Sequence, residues 1–251
     1  MLFQAHRGVS TEYPENTMAA FRAAAAQKYD IIETDPSVTA DGEIVLFHDK
    51  TLARTCRLPN GEPLPEDRPV RETTFAELRG LDAGLFKGET FRGERVPLFT
   101  ELLAFSAETG IPLKIDNKVA RFSEAEQDTI FALVRESGAP VGFTCANFSY
   151  LARVLAAVPD APIHYDGEVS EPILRQLRDL CGNRPLTVWL PMKSRLTSWV
   201  KVAFADEPLC RLVKQYAALG LWILDSDDEL AEAQRLGADV IETTGSVKPR
   251  K

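Results

Sequence analysis

Short apolar runs alternate with longer helix-like segments along the whole chain. Eight of these runs have the length and composition of buried strands. They are Leu2–Arg7, Asp30–Asp35, Pro112–Asn117, Val141–Ala146, Ala161–Asp166, Leu186–Leu190, Leu221–Asp225 and Asp239–Thr243. Strands that alternate with helices favour a parallel sheet whose faces the helices cover.

The segments between these runs carry signals of helix ends. Pro14 stands where a first helical residue is expected, ahead of the alanine-rich stretch Glu15–Gln27. Capping-box patterns stand at Ser123 with Glu126 and at Ser226 with Glu229. Glycines typical of the position just after a helix are Gly110, Gly138, Gly220 and Gly237. We therefore expect a helix between successive strands.

Eight βα units predict an α/β fold of the (β/α)8 TIM-barrel type, and 251 residues are the usual size of one such domain. The alternative is an open, doubly wound sheet, which is less favoured because no GxGxxG motif follows the first strand. We expect a single domain over residues 1–251, with a small insertion after strand 2 at about 49–97. This proline-rich insertion contains a short helix near Thr74–Arg79, and loops at this end of a barrel usually shape a substrate mouth.

Composition narrows the possible partners. The net charge of −8 argues against non-specific binding to nucleic acid or to an acidic membrane surface. No run is long and apolar enough for stable membrane insertion, and the first residues do not resemble a signal peptide. The four cysteines lack CxxC spacing, so we expect free thiols in a reducing, cytoplasmic location. The oligomeric state is not specified.

Polar residues follow the first two strands, at the barrel end where catalytic groups lie. His6-Arg7-Gly8 combines a proton-transfer group, a phosphate-binding cation and a flexible backbone position. Glu33 and Asp35 point to the same side because side chains alternate along a strand. Two neighbouring carboxylates repel each other unless a cation lies between them, and oxygen ligands suit Mg²⁺ or Ca²⁺.

The next segment predicts a hairpin that adds a second histidine. Asp41-Gly42 is a strong two-residue turn between extended runs. With that turn, Ala40 opposes Glu43 and Asp35 opposes His48. Cross-strand partners are roughly 5 Å apart at Cβ, so we expect His48 to lie beside the acidic pair.

The third strand supplies a further acid and cations. Alternation places Lys114, Asp116 and Lys118 on one side of this strand. Asp116 is a candidate third carboxylate for the cation, and Lys118, nearest the mouth, is suited to hold an anion. The two histidines, three acids and cationic side chains together indicate metal-assisted cleavage of a phosphodiester.

These residues resemble the glycerophosphodiester phosphodiesterases. The matching motifs are His6-Arg7-Gly8, Pro14-Glu15-Asn16-Thr17, Glu33-x-Asp35, Asp41-Gly42, His48-Asp49 with Thr51-Leu52, Leu81-Asp82-Ala83-Gly84, Val96-Pro97 and Trp222. The resemblance implies a TIM barrel that hydrolyses a glycerophosphodiester to glycerol 3-phosphate and an alcohol. It also implies one divalent cation, Mg²⁺ or Ca²⁺, on Glu33, Asp35 and Asp116, with His6 and His48 as the acid–base pair and Arg7 and Lys118 on the phosphate.

The chain departs from the family pattern at two places. Asp116 stands where the family has glutamate, which is longer by one methylene. The last strand contains Glu242 and continues as Thr243-Thr244-Gly245, where many relatives have Thr-Asp. The sequence leaves open whether Glu242 faces the site. It also leaves open whether Trp222 floors the pocket against the substrate or packs in the core.

Three other residues that could have a function belong to none of the family motifs. We expect Trp189 and Trp199 in the core or in a lid, and His164 as a packed or pore-lining residue.

The mechanistic hypothesis uses both histidines. One takes a proton from the nucleophile, which is water or the glycerol 2-hydroxyl, and the other protonates the leaving alkoxide. The alternatives are a lysophospholipase D-type activity on single-chain lipids, which a hydrophobic channel beside the insertion would favour, and a non-catalytic barrel that binds a phosphate ligand.

Overall fold

The computed structural model describes residues 1–192 and 203–249. Within them, eight parallel strands form a closed barrel in the order β1-β10-β9-β8-β7-β6-β5-β2. The barrel strands are β1 (Leu2–His6), β2 (Ile31–Thr34), β5 (Leu113–Ile115), β6 (Val141–Cys145), β7 (Ile163–Tyr165), β8 (Leu186–Pro191), β9 (Ala218–Leu224) and β10 (Val240–Thr243). The prediction of a (β/α)8 barrel is confirmed.

Eight α-helices lie in the described part of the chain. They are α1 (Met18–Ala26), α2 (Phe75–Gly80), α3 (Phe99–Thr109), α4 (Glu124–Ser137), α5 (Phe148–Ala157), α6 (Glu171–Cys181), α7 (Glu207–Val213) and α8 (Asp227–Arg235). The main core lies between the barrel strands and the helices, where Ile115 and Ile241 of the strands join Phe131 and Leu151 of the helices. None of the described helices combines the length and apolar character needed to cross a membrane.

Several helix ends follow the sequence signals. The capping boxes at Ser123 and Thr74 are both complete, and Gly110 and Gly138 are left-handed C-caps. Ser226 caps α8, although Glu229 accepts from the amide of Asp225 rather than that of Ser226.

Two predictions at helix ends are wrong. Pro14 is not a first helical residue: α1 begins at Met18 with Thr17 as its N-cap, and the carbonyl of Pro14 accepts from the Thr17 hydroxyl. Gly220 does not follow a helix but lies inside β9. A Cβ atom there would come within 2.5 Å of the Trp189 ring, so the missing side chain makes room for the tryptophan.

A hairpin and a second small core follow β2. Strands β3 (Pro36–Val38) and β4 (Ile44–Leu46) pair antiparallel, and the chain then runs on to α3. Val45, Leu52, Val70, Leu78 and other residues of this segment form an apolar cluster of their own. The segment therefore contributes its own packing beside the barrel mouth.

The hairpin register predicted from sequence is wrong by one residue. Val38 pairs with Ile44, and the amide of Thr39 donates to the carbonyl of Glu43. The loop therefore has three residues, Ala40 to Gly42, and Gly42 takes a φ of +85°. A three-residue loop that ends in a left-handed glycine is the next most common hairpin connection after the two-residue turn. In this register Asp35 lies opposite Phe47, whose amide donates to the Asp35 carbonyl, rather than opposite His48.

Candidate active site

A cavity of about 470 Å³ opens at the carboxyl ends of the barrel strands. It is lined by His6, Arg7, Glu33, His48, Lys114, Asp116, Asn117, Arg121, Thr144, Asp166, Trp189, Trp222, Ile223 and Glu242. Most of these side chains are polar or charged. The cavity therefore gathers most of the candidate residues into one site.

The register of neighbouring strands explains why His6, Glu33 and Lys114 lie close together in the site. In the β1–β2 pair His6 is level with Glu33, and in the β2–β5 pair Glu33 is level with Lys114. His6 Nε2 lies 3.9 Å from Glu33 Oε2. Burial lowers the pKa of His6, with the charge of Glu242 acting in the opposite direction. A neutral imidazole near pH 7 is therefore favoured at this position.

Three carboxylates form the candidate cation site. Glu33, Asp35 and Asp116 each offer one oxygen, and these oxygens lie within 4.8 Å of one another. Burial raises the pKa of Glu33 well above its ordinary value, and the charge of Asp35 raises it further. Like charges this close are stabilised by a cation between them, and an all-oxygen donor set suits Mg²⁺ or Ca²⁺. The residues present therefore fit a hard divalent ion.

Asp35 is held from several sides. Asn16 donates from Nδ2 to Asp35 Oδ2 at 2.7 Å, while Arg7 Nε lies 3.2 Å from the same oxygen. Lys118 Nζ lies 2.7 Å from Asp35 Oδ1. Burial alone raises the pKa of Asp35, but Lys118 and Arg7 outweigh it and the net pKa is well below the ordinary value. Asp35 is thus an ionised carboxylate in a fixed orientation.

The backbone at Arg7 is in a conformation that non-glycine residues rarely adopt. Its φ is +58°, and its amide donates to Glu33 Oε2 at 3.0 Å. Such a conformation is maintained only where the surroundings hold it. Here Glu15 accepts from Arg7 Nη1 at 2.9 Å. Burial lowers the pKa of Arg7, but Asp35 and Glu15 reverse this and raise it overall.

Asp116 and Lys118 reach the site by a different path from the one predicted. β5 ends at Ile115, and Asp116 is the N-cap of a 3-10 helix over Asn117–Arg121, accepting from the amide of Lys118 at 2.8 Å. Lys118 Nζ donates to the carbonyl of His48 at 2.9 Å in addition to its contact with Asp35. Lys118 therefore joins the 3-10 helix after β5 to the segment after β4.

His48 lines the cavity even though it does not face Asp35 across the hairpin. Its Nδ1 lies 2.6 Å from Asp49 Oδ1. Nε2 is therefore the ring nitrogen that remains for proton exchange in the cavity. Arg54 contacts Asp49 through Nε and Nη2 and donates to Glu15 from Nη1 at 2.8 Å and from Nη2 at 2.7 Å.

Arg54 thereby completes a series of ion pairs that connects the segment around His48 with the segment around His6. It connects Asp49, next to His48, with Glu15, which binds Arg7 next to His6. Because Arg54 is half exposed, we expect little change in stability when it is removed. We expect Arg54→Ala to lower kcat about tenfold, since a catalytic group displaced by a fraction of an ångström loses much of its efficiency.

The control for Arg54 is Arg68→Ala, which removes another arginine of the same segment, paired with Glu77 at 3.2 Å. Steady-state kinetics and thermal unfolding of both variants check the expectation. Arg54→Lys is expected to recover only part of the rate, because lysine lacks the forked donors that bind two carboxylates. A loss in Arg54→Ala no larger than that in Arg68→Ala would contradict a positioning role.

Comparison with known proteins places this chain in a family. The model of the glycerophosphoryl diester phosphodiesterase family matches residues 6–243. The chain belongs to the glycerophosphoryl diester phosphodiesterase family. The resemblance found from sequence is therefore confirmed, and the matched region includes every candidate site residue.

Individual members of the phosphodiesterase family are also similar to this chain in sequence. A glycerophosphodiester phosphodiesterase of Caldanaerobacter subterraneus is 40% identical over 114 residues, which cover 45% of this chain and 44% of that protein. The glycerophosphodiester phosphodiesterase GDPD4 of Arabidopsis thaliana is 25% identical over 244 residues, covering 96% of this chain and 69% of that protein. The first of these matches thus spans less than half of the relative's length.

Solved structures share the fold. A glycerophosphoryl diester phosphodiesterase described as putative, from Silicibacter pomeroyi, has a TM-score of 0.78 at 21% identity, covering 97% of this chain and 90% of that one. An Oleispira antarctica phosphodiesterase, solved in complex with the product sn-glycerol-3-phosphate, has a TM-score of 0.76 at 23% identity, covering 98% and 94%. The family barrel therefore extends over nearly the whole chain.

The structure also shows site residues that were not assigned from sequence. Lys114 Nζ crosses the barrel to Glu242 Oε2 at 3.0 Å and lies 4.0 Å from the centre of the Trp189 ring. Glu242 therefore faces the site, which the sequence had left open. Trp222 lines the cavity, and Trp189 is buried in the barrel interior. Trp199 lies outside the described residues.

Two signals could have revealed some of these residues. Alternation along the last strand places Glu242 on the same side as Val240, inside the barrel. The family motif at Pro14-Glu15-Asn16-Thr17 includes Asn16. Its hydrogen bond to Asp35 is visible only in the folded structure. His164 is packed inside as predicted: burial lowers its pKa to about 3, and it accepts from Trp189 Nε1 at 3.1 Å.

Asp166 is a further acid in the cavity, just after β7. Burial raises the pKa of Asp166 to about 6, and the charge of Asp116 adds to the increase. Asn117 donates to Asp166 Oδ2 at 2.8 Å.

Proposed function

We propose that this protein hydrolyses glycerophosphodiesters to glycerol 3-phosphate and an alcohol, using one divalent cation, Mg²⁺ or Ca²⁺. The observation that supports this most directly is the cluster of three carboxylates, two of which, Glu33 and Asp116, line one cavity together with His6 and His48. Names of relatives point the same way: several are glycerophosphodiester phosphodiesterases, and one structural neighbour was solved with sn-glycerol-3-phosphate.

Glu33, Asp35 and Asp116 would hold the cation. When bound, it would neutralise charge on the phosphodiester oxygens as a Lewis acid. Arg7 and Lys118 add positive charge at the rim of the same triad. The phosphate is thereby held against the carboxyl ends of β1, β2 and β5.

The histidines carry the proton transfers. One imidazole takes the proton of the nucleophile, and the other donates a proton to the oxygen of the leaving alcohol. His48 exchanges its proton at Nε2, since Asp49 engages Nδ1. Lys118 holds the His48 backbone close to Asp35, which keeps this imidazole at the phosphate site.

The site offers less support for a single-chain lipid. Apart from Trp189, Trp222 and Ile223, the described lining of the catalytic cavity is polar or charged. The apolar groove of the insertion, lined by Leu52, Leu58 and Leu64, is a separate depression.

The four cysteines are free and buried, which fits the proposed location in a reducing, cytoplasmic compartment.

The test is turnover of glycerophosphocholine by the purified protein, followed through release of glycerol 3-phosphate. We expect activity with Mg²⁺ or Ca²⁺ and a loss of roughly 100-fold or more with a chelator, because cation charge stabilisation supplies several kcal/mol. Restoring the ion in excess should restore the rate.

Two outcomes would contradict the proposal. Activity that is indifferent to chelation would exclude the cation. Binding of the cation without turnover across a panel of glycerophosphodiesters would leave a phosphate-binding barrel in place of an enzyme.

A further inference from the structure

Asp166 presents an unused oxygen to the catalytic cavity. It follows β7 directly, and its Oδ2 accepts from Asn117. Its Oδ1 is buried and has no hydrogen-bond partner among the described residues. A buried carboxylate oxygen without a partner is costly, so such an atom marks a position where a ligand donor is expected.

Thr144 on the neighbouring strand presents a second unused oxygen. Its Oγ1 is likewise buried without a partner in the described part of the chain, and the side chain lines the same cavity. In the β6–β7 pair Thr144 is level with His164, which lies two residues before Asp166. Alternation therefore puts Asp166 and Thr144 on the inner side of adjacent strands.

The two oxygens define the chemistry of the ligand. An ionised carboxylate only accepts hydrogen bonds, whereas a threonine hydroxyl both donates and accepts. Asp166 repels a phosphate group, so the matching ligand group carries hydrogen-bond donors. A pair of neighbouring hydroxyls satisfies both positions, since one hydroxyl donates to Asp166 and the other exchanges a hydrogen bond with Thr144.

A cationic head group fits these surroundings less well. The face of the Trp189 ring is already occupied by the Lys114 ammonium at 4.0 Å. The cation position over this ring is therefore already filled by a side chain of the protein, whereas a neutral hydroxyl needs no such position.

We propose that Asp166 and Thr144 form a hydroxyl-binding subsite of the catalytic cavity that recognises a vicinal diol. This rests on the proposed function, because the cation triad must hold the phosphate end of the same ligand. Asn117 sets the spacing, since it follows Asp116 of the triad and donates to Asp166. The diol is that of the glycerol moiety or that of a polyol head group.

The test compares phosphate monoesters that differ in hydroxyls. Isothermal titration calorimetry in the presence of Mg²⁺ or Ca²⁺ measures the binding of sn-glycerol 3-phosphate and of propyl phosphate. We expect the wild type to prefer glycerol 3-phosphate by roughly tenfold or more, the strength of a hydrogen bond to a charged group. Asp166→Asn should bring this ratio close to one, and Thr144→Val should lower it by a few fold.

Further ligands separate the sources of the diol. Inositol 1-phosphate represents a polyol head group, and phosphocholine represents a cation without the diol. A loss in Asp166→Asn on glycerol 3-phosphate assigns the subsite to the glycerol, and a loss on inositol 1-phosphate alone assigns it to the head group. Asp160→Asn, at an exposed carboxylate before β7, is the charge-matched control.

Three results would overturn the subsite: unchanged binding of both glycerol 3-phosphate and inositol 1-phosphate in both variants, an equal loss on glycerol 3-phosphate and propyl phosphate, or a loss confined to phosphocholine. Thr144→Val keeps the test valid if Asp166→Asn fails to fold. Binding is measured without turnover, so failure of the subsite is distinguishable from failure of the proposed activity, which the glycerophosphocholine assay tests separately.

Discussion

Replacing either His6 or His48 with alanine is expected to lower kcat on glycerophosphocholine by about 100- to 10,000-fold, the usual contribution of general acid–base catalysis. Both imidazoles line the same cavity as Glu33 and Asp116 of the carboxylate triad. Each variant keeps the other histidine, the triad and Arg7, so we expect cation binding to persist while proton transfer fails. Steady-state kinetics at saturating cation, together with calorimetric titration of the cation, separate these two effects.

His164→Asn is the matched control for the catalytic histidines. His164 is the third histidine, and it accepts from Trp189 inside the barrel rather than contacting the triad. The asparagine amide oxygen can accept the same hydrogen bond, so we expect kcat within about threefold of the wild type, in line with a conservative exchange away from the reacting atoms. Undiminished turnover in both His6→Ala and His48→Ala would reject the acid–base assignment.

Lys114→Met is expected to destabilise the fold by about 3–5 kcal/mol, because it leaves the partner carboxylate buried without its cation. Lys114 is 6% exposed and Glu242 5% exposed, and they form an ion pair across the barrel interior. Gln4 also donates to Glu242, but it brings no charge. Denaturant unfolding of the variant should show a midpoint well below that of the wild type.

The pH dependence of this loss follows from the pKa shifts of the pair. Burial alone would raise the pKa of Glu242 and lower that of Lys114, but their mutual attraction reverses both directions. The stabilisation by the wild-type pair is therefore present above the ordinary glutamate pKa of 4.5 and below the ordinary lysine pKa of 10.5. Without the lysine, the pKa of Glu242 rises, so we expect the deficit of the variant to grow from pH 5 to pH 8.

Two further variants check the origin of the effect. Adding Glu242→Gln to Lys114→Met should restore part of the stability, because it removes the unpaired charge. Lys214→Met, which removes an exposed lysine 3.1 Å from Asp239, should cost no more than about 1 kcal/mol. A loss in Lys114→Met as small as that in Lys214→Met would show that the buried pair does not support the fold.

Much of the architecture followed from local patterns. Each barrel strand is buried by helices on one side and by the barrel interior on the other. Such a strand is a continuous apolar run in the sequence, and for this reason the eight strands could be predicted. Capping residues such as Ser123 and Thr74 acted locally, so their structures matched the sequence pattern. The exceptions at Pro14 and Gly220 arose where Thr17 provided the stronger cap and where Trp189 required space.

The hairpin shows how a local rule can give the wrong register. Asp-Gly is common in two-residue turns, but here Gly42 ends a three-residue loop and every later pairing moves by one position. His48 nevertheless reaches the cavity, because Lys118 holds its carbonyl and Asp49 orients its ring. The residue was found through its chemistry, whereas its position depends on contacts from distant segments.

The sequence by itself determined the kind of fold, the family and the chemical groups of the site. Each of these features follows from strand alternation or from a short motif, and such patterns involve only a few neighbouring residues. Only the tertiary structure decided how these groups are held. Asp35 meets Asn16, Arg7 and Lys118, and Glu242 meets Lys114, through contacts between residues far apart in the chain. The unpaired oxygens of Asp166 and Thr144 likewise exist only in the folded barrel, since burial is a property of the whole packing.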